Sequence, residues 1–319
     1  MADPVDYRTL GRTGLQVSHL AVGTVSLGVN YGIGVPGDSG RPDESDAVHL
    51  LREAADAGIN LFDTAPAYGQ SENQLGKALG SRSDCYIATK VSIPKAESGS
   101  MLRGQRMRDE IEASLKESLL ALKRPVLDLV QIHNATVELI EDGEMLEVLR
   151  AAQRGGRLHF LGASVYSEAE ALAVINAECF DTLQVAYSIL DQRMARKVFP
   201  AARRAGVGII VRSALLKGAL TAKAQWLPEE LSLLRQRAEG ARDLLAAGSW
   251  GALPNAALRF CLSNPWVSTV LVGVRTAEEL RSALAAARAG PLPGDLLSKA
   301  KGLALDDERL LNPSHWPIP

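Results

Sequence analysis

Residues 58–79 read GINLFDTAPAYGQSENQLGKAL, and they place Asp63 and Tyr68 directly after a short apolar run. Two further apolar runs also end on a polar group, CYIATK on Lys90 and VLDLVQIH on His133. Each run is typical of a short buried strand. In a parallel α/β barrel the C-terminal strand ends all open onto one face, so we expect the four side chains to converge there.

The four side chains are chemically complementary. A tyrosine can donate a proton to a carbonyl oxygen if its pKa, about 10 in solution, is lowered towards neutrality, and a nearby ammonium has that effect. Lys90 is the candidate ammonium, and the Asp63 carboxylate would keep it charged in an apolar barrel mouth. His133 is left to orient the substrate oxygen. For each residue taken alone, the alternative is a solvated position in a loop.

Apolar runs alternate with helix-period stretches along the chain, which is the pattern of repeated βα units. Strands are predicted at 19–24, 59–63, 85–90, 127–133, 158–163, 181–186, 207–211 and 268–272, and helices near 44–57, 71–79, 106–123, 142–154, 167–176, 195–205, 229–246 and 276–288. Eight such units predict an α/β fold, the (β/α)8 TIM barrel. The start, YRTLGRTGLQV, predicts a β-hairpin around Arg12 and Gly14. No composition shift divides the chain, so we predict a single domain over residues 1–319.

The composition favours a small-molecule partner. The chain has 35 Lys and Arg against 37 Asp and Glu and no basic block, which argues against nucleic acid or an anionic membrane surface as a partner. Neither a signal-peptide pattern nor an apolar run of membrane-spanning length is present, so we predict a cytoplasmic protein. Cys85, Cys179 and Cys261 lie far apart, and no histidines have metal-ligand spacing, so neither a disulfide framework nor a metal site is predicted. The sequence does not indicate an oligomeric state.

Long irregular stretches are predicted to overhang the barrel mouth and to set specificity. They are residues 28–43, 92–106, 213–230 and 291–319. Tyr31, Trp226 and Trp316 are the aromatic candidates for pocket walls. For each of the three, packing on the barrel surface as a loop anchor is an equal alternative.

A glycine pattern in the first of these stretches suggests a different cofactor site. Gly32, Gly34 and Gly37 match G-x-G-x-x-G, which in a Rossmann fold seats pyrophosphate on a helix N-terminus. Here Gly37 leads into DSGRPD before any helix pattern begins. We therefore interpret the glycines as part of a flexible mouth loop, and a cofactor site has to come from the barrel itself.

The chain resembles the aldo-keto reductase superfamily over nearly all of its length. The segment quoted first, with its Asp, Tyr and Gly-x-Ser-Glu, is similar to the family signature, and Lys90 and His133 fall where the family keeps a lysine and a histidine. The resemblance implies a catalytic tetrad of Asp63, Tyr68, Lys90 and His133 in a barrel whose bottom is closed by the hairpin. It also implies hydride transfer between a nicotinamide cofactor and a carbonyl or alcohol.

The resemblance also implies where the cofactor binds. Ser164 and Gln184 would hydrogen-bond the nicotinamide carboxamide, and Gly273 with Arg275 would form the adenosine-end segment at the last helix. The implied cofactor set is Gly23, Thr24, Ser164, Gln184, Arg212, Ser213, Leu215, Lys217, Gly273, Arg275 and Glu279, with Ser213, Leu215 and Lys217 as the wall along the pyrophosphate. The alternative for Ser164 and Gln184 is a structural role as polar caps on barrel strands.

Three features depart from the family pattern. Val165 stands where many members have asparagine, and Arg212 stands where many reductases stack an aromatic ring on the nicotinamide. Glu279 stands near the 2′-phosphate position, where members that bind NADP commonly have Arg or Gln, and Ala283 replaces the usual Asn. A carboxylate repels a 2′-phosphate and can accept from a free 2′-hydroxyl, whereas Arg275 favours the phosphate. The predicted cofactor is NAD(P)(H), with NAD(H) slightly favoured.

Together these residues predict an oxidoreductase, an NAD(P)-dependent aldo-keto reductase or aldose-type dehydrogenase. Its substrate would be an aldehyde, a ketone or a sugar-type alcohol, and Tyr68 would act as general acid, or as base in the reverse direction. The alternative is a non-catalytic, redox-sensing nicotinamide-binding subunit of the same fold. The intact tetrad argues against that alternative.

Overall fold

A closed barrel of parallel strands forms the centre of the computed structural model, which describes residues 5–38 and 40–318. The strands in this part of the chain are β1 (Tyr7–Thr9), β2 (Gln16–Ser18), β3 (Leu20–Gly23), β4 (Leu61–Asp63), β5 (Tyr86–Ser92), β6 (Leu127–His133), β7 (Leu158–Ser164), β8 (Thr182–Ala186), β9 (Gly208–Arg212) and β10 (Thr269–Gly273). The strands β3 to β10 follow one another around the barrel, and β10 closes it against β3. The predicted (β/α)8 fold with an N-terminal hairpin is confirmed.

Helices follow the barrel strands and pack around the barrel. They are α1 (Val25–Gly28), α2 (Glu44–Asp56), α3 (Ser71–Leu79), α4 (Gly104–Leu122), α5 (Val137–Asp142), α6 (Glu144–Arg154), α7 (Glu168–Asn176), α8 (Val198–Ala205), α9 (Ser232–Leu245), α10 (Leu253–Leu262), α11 (Ala277–Arg288), α12 (Gly294–Lys301) and α13 (Glu308–Leu311). Sequence signals explain several starts: Asp43 caps α2, and Ser167 with Glu170 forms a capping box on α7. Over the described ranges, no helix combines the length and the apolar character needed to cross a bilayer.

Several helical segments differ from the sequence prediction. The helix predicted at 142–154 begins only at Glu144, because Gly143 adopts a left-handed φ of 75° and separates α6 from α5. The shorter helices α1, α5, α12 and α13 have no counterpart in the prediction, and neither has the buried α10. Seven of its residues are buried, among them Leu253, Phe260 and Leu262. Its polar residues Asn255 and Arg259 lie four positions apart, on one side of the helix, so the prediction missed a helical period that the sequence contains.

The N-terminal hairpin closes the barrel end opposite the polar strand ends. β1 and β2 pair antiparallel and are joined through one 3-10 turn, Gly11–Thr13. Leu10 and Val17 are buried in one cluster with barrel side chains such as Leu61. Gly208, the first residue of β9, permits the approach, since a Cβ there would lie 2.8 Å from the Leu10 carbonyl carbon. With this end filled by packing, the other end is left for a ligand.

Candidate active site

Lys90 and Asp63 form a buried ion pair at the C-terminal end of the barrel. Asp63 is the last residue of β4, and Lys90 lies on the neighbouring strand β5. The Lys90 Nζ atom lies 2.5 Å from Asp63 Oδ1 and donates a second hydrogen bond of 2.9 Å to the Thr64 carbonyl oxygen. Burial lowers the pKa of the Lys90 ammonium, but the nearby Asp63 and Tyr68 outweigh burial and the net pKa is raised. Lys90 therefore stays charged at neutral pH.

Two glutamine amides hold the other oxygen of Asp63. Gln184 on β8 donates from Nε2 to Asp63 Oδ2 at 2.8 Å, and Gln131 on β6 does so at 3.0 Å. The Gln184 Nε2 atom also lies 3.2 Å from Gln131 Oε1, so the amides and the carboxylate form one network. Gln131 was not among the site residues predicted from the sequence. A signal was available, because this lone amide in VLDLVQIH lies two residues before His133 and so on the same side of its strand.

Tyr68 lies in the turn between β4 and α3, beside the ion pair. The Lys90 Nζ atom is 4.9 Å from the Tyr68 ring centroid, and the His133 ring meets the tyrosine ring edge-on with 5.9 Å between centroids. Ser71 Oγ donates to the Tyr68 carbonyl oxygen at 2.6 Å and fixes the turn. Gly28 packs against the same carbonyl, where a Cβ would lie 1.7 Å from the oxygen. The glycine at residue 28 is therefore needed to place Tyr68.

The surroundings determine the protonation of Tyr68 and His133. Burial raises the pKa of the Tyr68 phenol, and the opposing effect of Lys90 does not overcome it. Lys90 lowers the pKa of Tyr68, as expected, but burial has the larger effect, so the net pKa is raised and the phenol keeps its proton at neutral pH. Burial, with a smaller effect of Lys90, lowers the pKa of His133 to about 4. The imidazole is therefore neutral, with one nitrogen that donates and one that accepts.

A cavity of about 690 Å³ opens at these strand ends. Every predicted site residue except Lys90 lines it, namely Gly23, Thr24, Asp63, Tyr68, His133, Ser164, Gln184, Arg212, Ser213, Leu215, Lys217, Gly273, Arg275 and Glu279. Lys90 is only 1% exposed and reaches the cavity through its contacts with Asp63 and Tyr68. Residues far apart in sequence thus meet as the barrel topology predicts. The proposed contact of Gln184 with a carboxamide stays a prediction, since its amide nitrogen here faces Asp63.

Only some of the stretches predicted to overhang the barrel mouth line this cavity. The stretches 28–43 and 213–230 contribute lining residues, whereas 92–106 and the described part of the tail contribute none, so the expectation is not met for these last two. Tyr31 lines the cavity, but Trp226 is 52% exposed and Trp316 is buried, and neither lines it. The Trp316 indole donates to the Leu310 carbonyl oxygen, which is the anchoring role given as the alternative. Residue 319 lies outside the described residues.

A second part of the cavity fits a phosphate-bearing ligand. Gly23 and Gly273 are paired in register at the ends of β3 and β10, and both line the cavity. Ser26 Oγ is buried at the same place and has no hydrogen-bond partner among the described residues. The helix α11 begins here, capped by the Thr276 side chain. A free hydroxyl and a helix N-terminus both favour an anion.

The wall formed after β9 is locally strained. Ser213 and Lys217 have left-handed φ values of 59° and 53°, which are uncommon for residues other than glycine. Arg212 stacks on Tyr166, with 4.4 Å from its Cζ to the ring centroid, and donates to the Val165 carbonyl oxygen at 2.9 Å. Backbone strain of this kind is concentrated at ligand clamps and active sites. A role of Arg212 on the nicotinamide stays a prediction.

The cysteines are free thiols and lie outside the cavity lining. Burial raises the pKa of Cys85 to about 11, so this thiol is not activated as a nucleophile. Within residues 5–38 and 40–318, no group of three or more His, Cys, Asp or Glu is arranged to hold a metal ion.

Comparison with known proteins identifies the family of this barrel. The Aldo/keto reductase family matches residues 19–303. The chain belongs to the aldo/keto reductase family. The family resemblance drawn from the sequence is therefore confirmed, and the chain is an oxidoreductase of the aldo/keto reductase type.

Two relatives of this aldo/keto reductase align with it over most of their length. L-galactose dehydrogenase of Arabidopsis thaliana is 28% identical, with 96% of this chain and 92% of the relative covered. NADH-specific methylglyoxal reductase of Escherichia coli (strain K12) is 27% identical, with 87% and 92% covered. Among solved structures, aldo-keto reductase AKR11C1 from Bacillus halodurans in its holo form is 27% identical and superposes with a TM-score of 0.78, with 98% and 99% covered.

Proposed function

We propose that the chain transfers hydride between NAD(P)(H) and an aldehyde, a ketone or a sugar-type alcohol, with Tyr68 as the general acid of reduction. One observation carries the proposal: the Tyr68 ring lies 4.9 Å from the ammonium of a buried Lys90–Asp63 pair and meets His133 edge-on at a cavity wall. Few other reactions need a protonated phenol, a neutral imidazole and a buried ammonium together. The same cavity extends to Gly23, Gly273 and the Ser26 hydroxyl, to which we assign the cofactor phosphates.

Each of these residues has one task in the proposed reaction. A nicotinamide cofactor, when bound, supplies the hydride. Tyr68 gives the phenolic proton to the carbonyl oxygen, and general acid catalysis of this kind contributes about 10²–10⁴-fold. Lys90 stabilises the phenolate that remains, while Asp63 keeps the ammonium charged and in place. His133 orients the carbonyl oxygen by a hydrogen bond from its neutral ring. In alcohol oxidation the phenolate takes the proton back.

We assign the remaining lining residues to the cofactor. The carboxamide of the nicotinamide would lie near Ser164 and Gln184 at the ends of β7 and β8. The phosphates would lie along the glycine pair Gly23 and Gly273, within reach of the unpartnered Ser26 hydroxyl. The other lining residues assigned to cofactor binding are Thr24, Arg212, Ser213, Leu215, Lys217, Arg275 and Glu279.

The relatives support a substrate among small aldehydes and sugars. One relative is named for methylglyoxal, a small dicarbonyl aldehyde, and another for L-galactose, an aldose. Both are substrates whose carbonyl or carbinol carbon can be brought next to a nicotinamide while the oxygen faces a tyrosine. We therefore propose the same two classes for this chain and NAD(H) as the preferred cofactor.

We expect the purified protein to oxidise NADH or NADPH in the presence of at least one small aldehyde, or to reduce the oxidised cofactor in the presence of an aldose. The measurement is a panel of aldehydes, ketones and aldoses followed by the absorbance of the reduced nicotinamide. The matched control is a Tyr68→Phe sample on the same panel. Cofactor binding without turnover on any substrate would favour the redox-sensing subunit, and absence of cofactor binding would contradict both functions.

We expect Gln131→Met to reduce kcat by roughly tenfold to a hundredfold with little effect on the dissociation constant for the cofactor. The change keeps the side-chain volume but removes one hydrogen bond to the Asp63 carboxylate and one from Gln184. A hydrogen bond to a charged group is worth about 1.5–3 kcal/mol. Steady-state kinetics and a cofactor titration measure the two quantities.

The control for this change is Gln153→Met on α6, which removes a hydrogen bond to the His159 carbonyl oxygen on β7; neither residue lines the cavity. It should leave kcat unchanged. If Gln131→Met also retained the parent kcat, the amide network would have no part in holding Asp63.

A further inference from the structure

One carboxylate joins three loops at the cavity. Asp38 lies between α1 and α2, Lys223 lies after β9, and Arg275 lies between β10 and α11. The Asp38 Oδ1 atom is 2.8 Å from Arg275 Nη1, and its Oδ2 atom is 2.9 Å from Lys223 Nζ. The same Arg275 nitrogen donates to the Gly40 carbonyl oxygen at 2.9 Å. All three charged side chains are at most 25% exposed.

A second carboxylate approaches Arg275 from its own helix. Glu279, in the first turn of α11, accepts a hydrogen bond of 2.7 Å from the Arg275 backbone N–H, and its other oxygen is 3.9 Å from Arg275 Nη2. The guanidinium is therefore held between Asp38 and Glu279. Arg275, Lys223 and Glu279 all line the cavity at the end where α11 begins. Together these two cations and two carboxylates carry no net charge.

We propose that Asp38 selects the coenzyme: by pairing with Arg275 it withholds the guanidinium that a 2′-phosphate would need, and so it favours a dinucleotide with a free 2′-hydroxyl. The inference rests on the proposed function, in which the cavity binds a nicotinamide dinucleotide with its adenosine end at α11. A phosphate monoester carries about −1.5 to −2 charges at pH 7. Such a group meets two carboxylates here, and it can form a bidentate pair with Arg275 only after Asp38 has been displaced.

A different role for Asp38 makes a different prediction. If Asp38 only held the mouth loop against the barrel, its loss would weaken the binding of NAD+ and NADP+ equally. Lys223→Met is the matched variant, because it removes the Lys223–Asp38 ion pair while the Asp38–Arg275 pair remains. The ratio of NADP+ to NAD+ affinity should change when the Asp38–Arg275 pair is broken. It should not change when only another ion pair of the cluster is lost.

The experiment is calorimetric titration of the parent, Asp38→Asn and Lys223→Met with NAD+, NADP+ and the fragment 2′-AMP at fixed low salt. We expect Asp38→Asn to shift the affinity ratio towards NADP+ by about tenfold or more and to strengthen 2′-AMP binding, because the freed guanidinium gains the phosphate as its partner. Lys223→Met should not shift the ratio towards NADP+. The shift should shrink at high salt, because partly exposed charges are screened.

The outcomes separate the inference from the function on which it rests. An unchanged ratio in Asp38→Asn, or an equal loss of affinity for both dinucleotides, would overturn the role of Asp38 while leaving cofactor binding intact. Failure of the parent protein to bind either dinucleotide would overturn the proposed function itself. Thermal unfolding of each variant is measured alongside, and Asp38→Ser serves as the second variant if Asp38→Asn does not fold.

Discussion

Tyr68→Phe is expected to lose carbonyl reduction by a factor of about 10² or more, because it removes the only phenolic proton assigned to the carbonyl oxygen. The dissociation constant for the cofactor should stay nearly the same. The phenylalanine ring can keep both packing contacts of the tyrosine ring, at 4.9 Å from Lys90 Nζ and 5.9 Å from the His133 ring. The measurements are kcat on the best substrate of the panel and a fluorescence titration with the cofactor.

The pH profile gives a second measurement of the role of Tyr68. Because burial raises the pKa of the phenol, the acid form predominates through neutral pH, and reduction by the parent should decline only under alkaline conditions. Tyr166→Phe is the matched control, since Tyr166 also lines the cavity but its ring stacks on Arg212. Turnover of Tyr68→Phe within tenfold of the parent would mean that another group donates the proton.

The barrel could be predicted because its strands are buried on both faces. A strand of this kind is a short apolar run, and each of the eight predicted runs corresponds to a barrel strand within the described residues. The helix α10 was missed although its polar residues Asn255 and Arg259 lie four positions apart, as on one side of a helix. The tail, residues 291–319, was predicted to lie at the barrel mouth because its sequence has no strong helix or strand pattern. Its position depends on distant contacts, such as the hydrogen bond from Leu305 N–H to the Leu190 carbonyl oxygen.

The candidate site could be predicted where topology alone decides it. Polar groups that end parallel strands must face the same opening, and this rule brings Asp63 and His133 to one cavity. The roles of Gln131 and Asp38 depend instead on partners 68 and 237 positions away, Asp63 and Arg275 respectively. The sequence around a buried glutamine or a loop aspartate does not indicate which distant residue it contacts. The net pKa of Tyr68 also needed the structure, because the depth of burial decides its direction.

Lys90→Met is expected to abolish turnover and to destabilise the fold, two effects with different causes. The activity falls because no ammonium remains to stabilise the phenolate of Tyr68. The fold is weakened because Asp63, which is 3% exposed, keeps its two glutamine donors but loses its counter-charge. Removing one partner of a buried pair costs about 3–5 kcal/mol in the free energy of unfolding. Steady-state kinetics and urea unfolding measure the two losses separately.

The double variant Lys90→Met, Asp63→Asn distinguishes the two causes. An asparagine leaves no unpaired charge beside the methionine, so much of the lost unfolding free energy should return. Turnover should stay absent, since the ammonium beside Tyr68 is still missing. If the double variant recovered activity together with stability, Lys90 would act only by holding the fold. If the single variant kept the parent's free energy of unfolding, the Lys90–Asp63 pair at 2.5 Å would add no stability beyond that of the neighbouring hydrogen bonds.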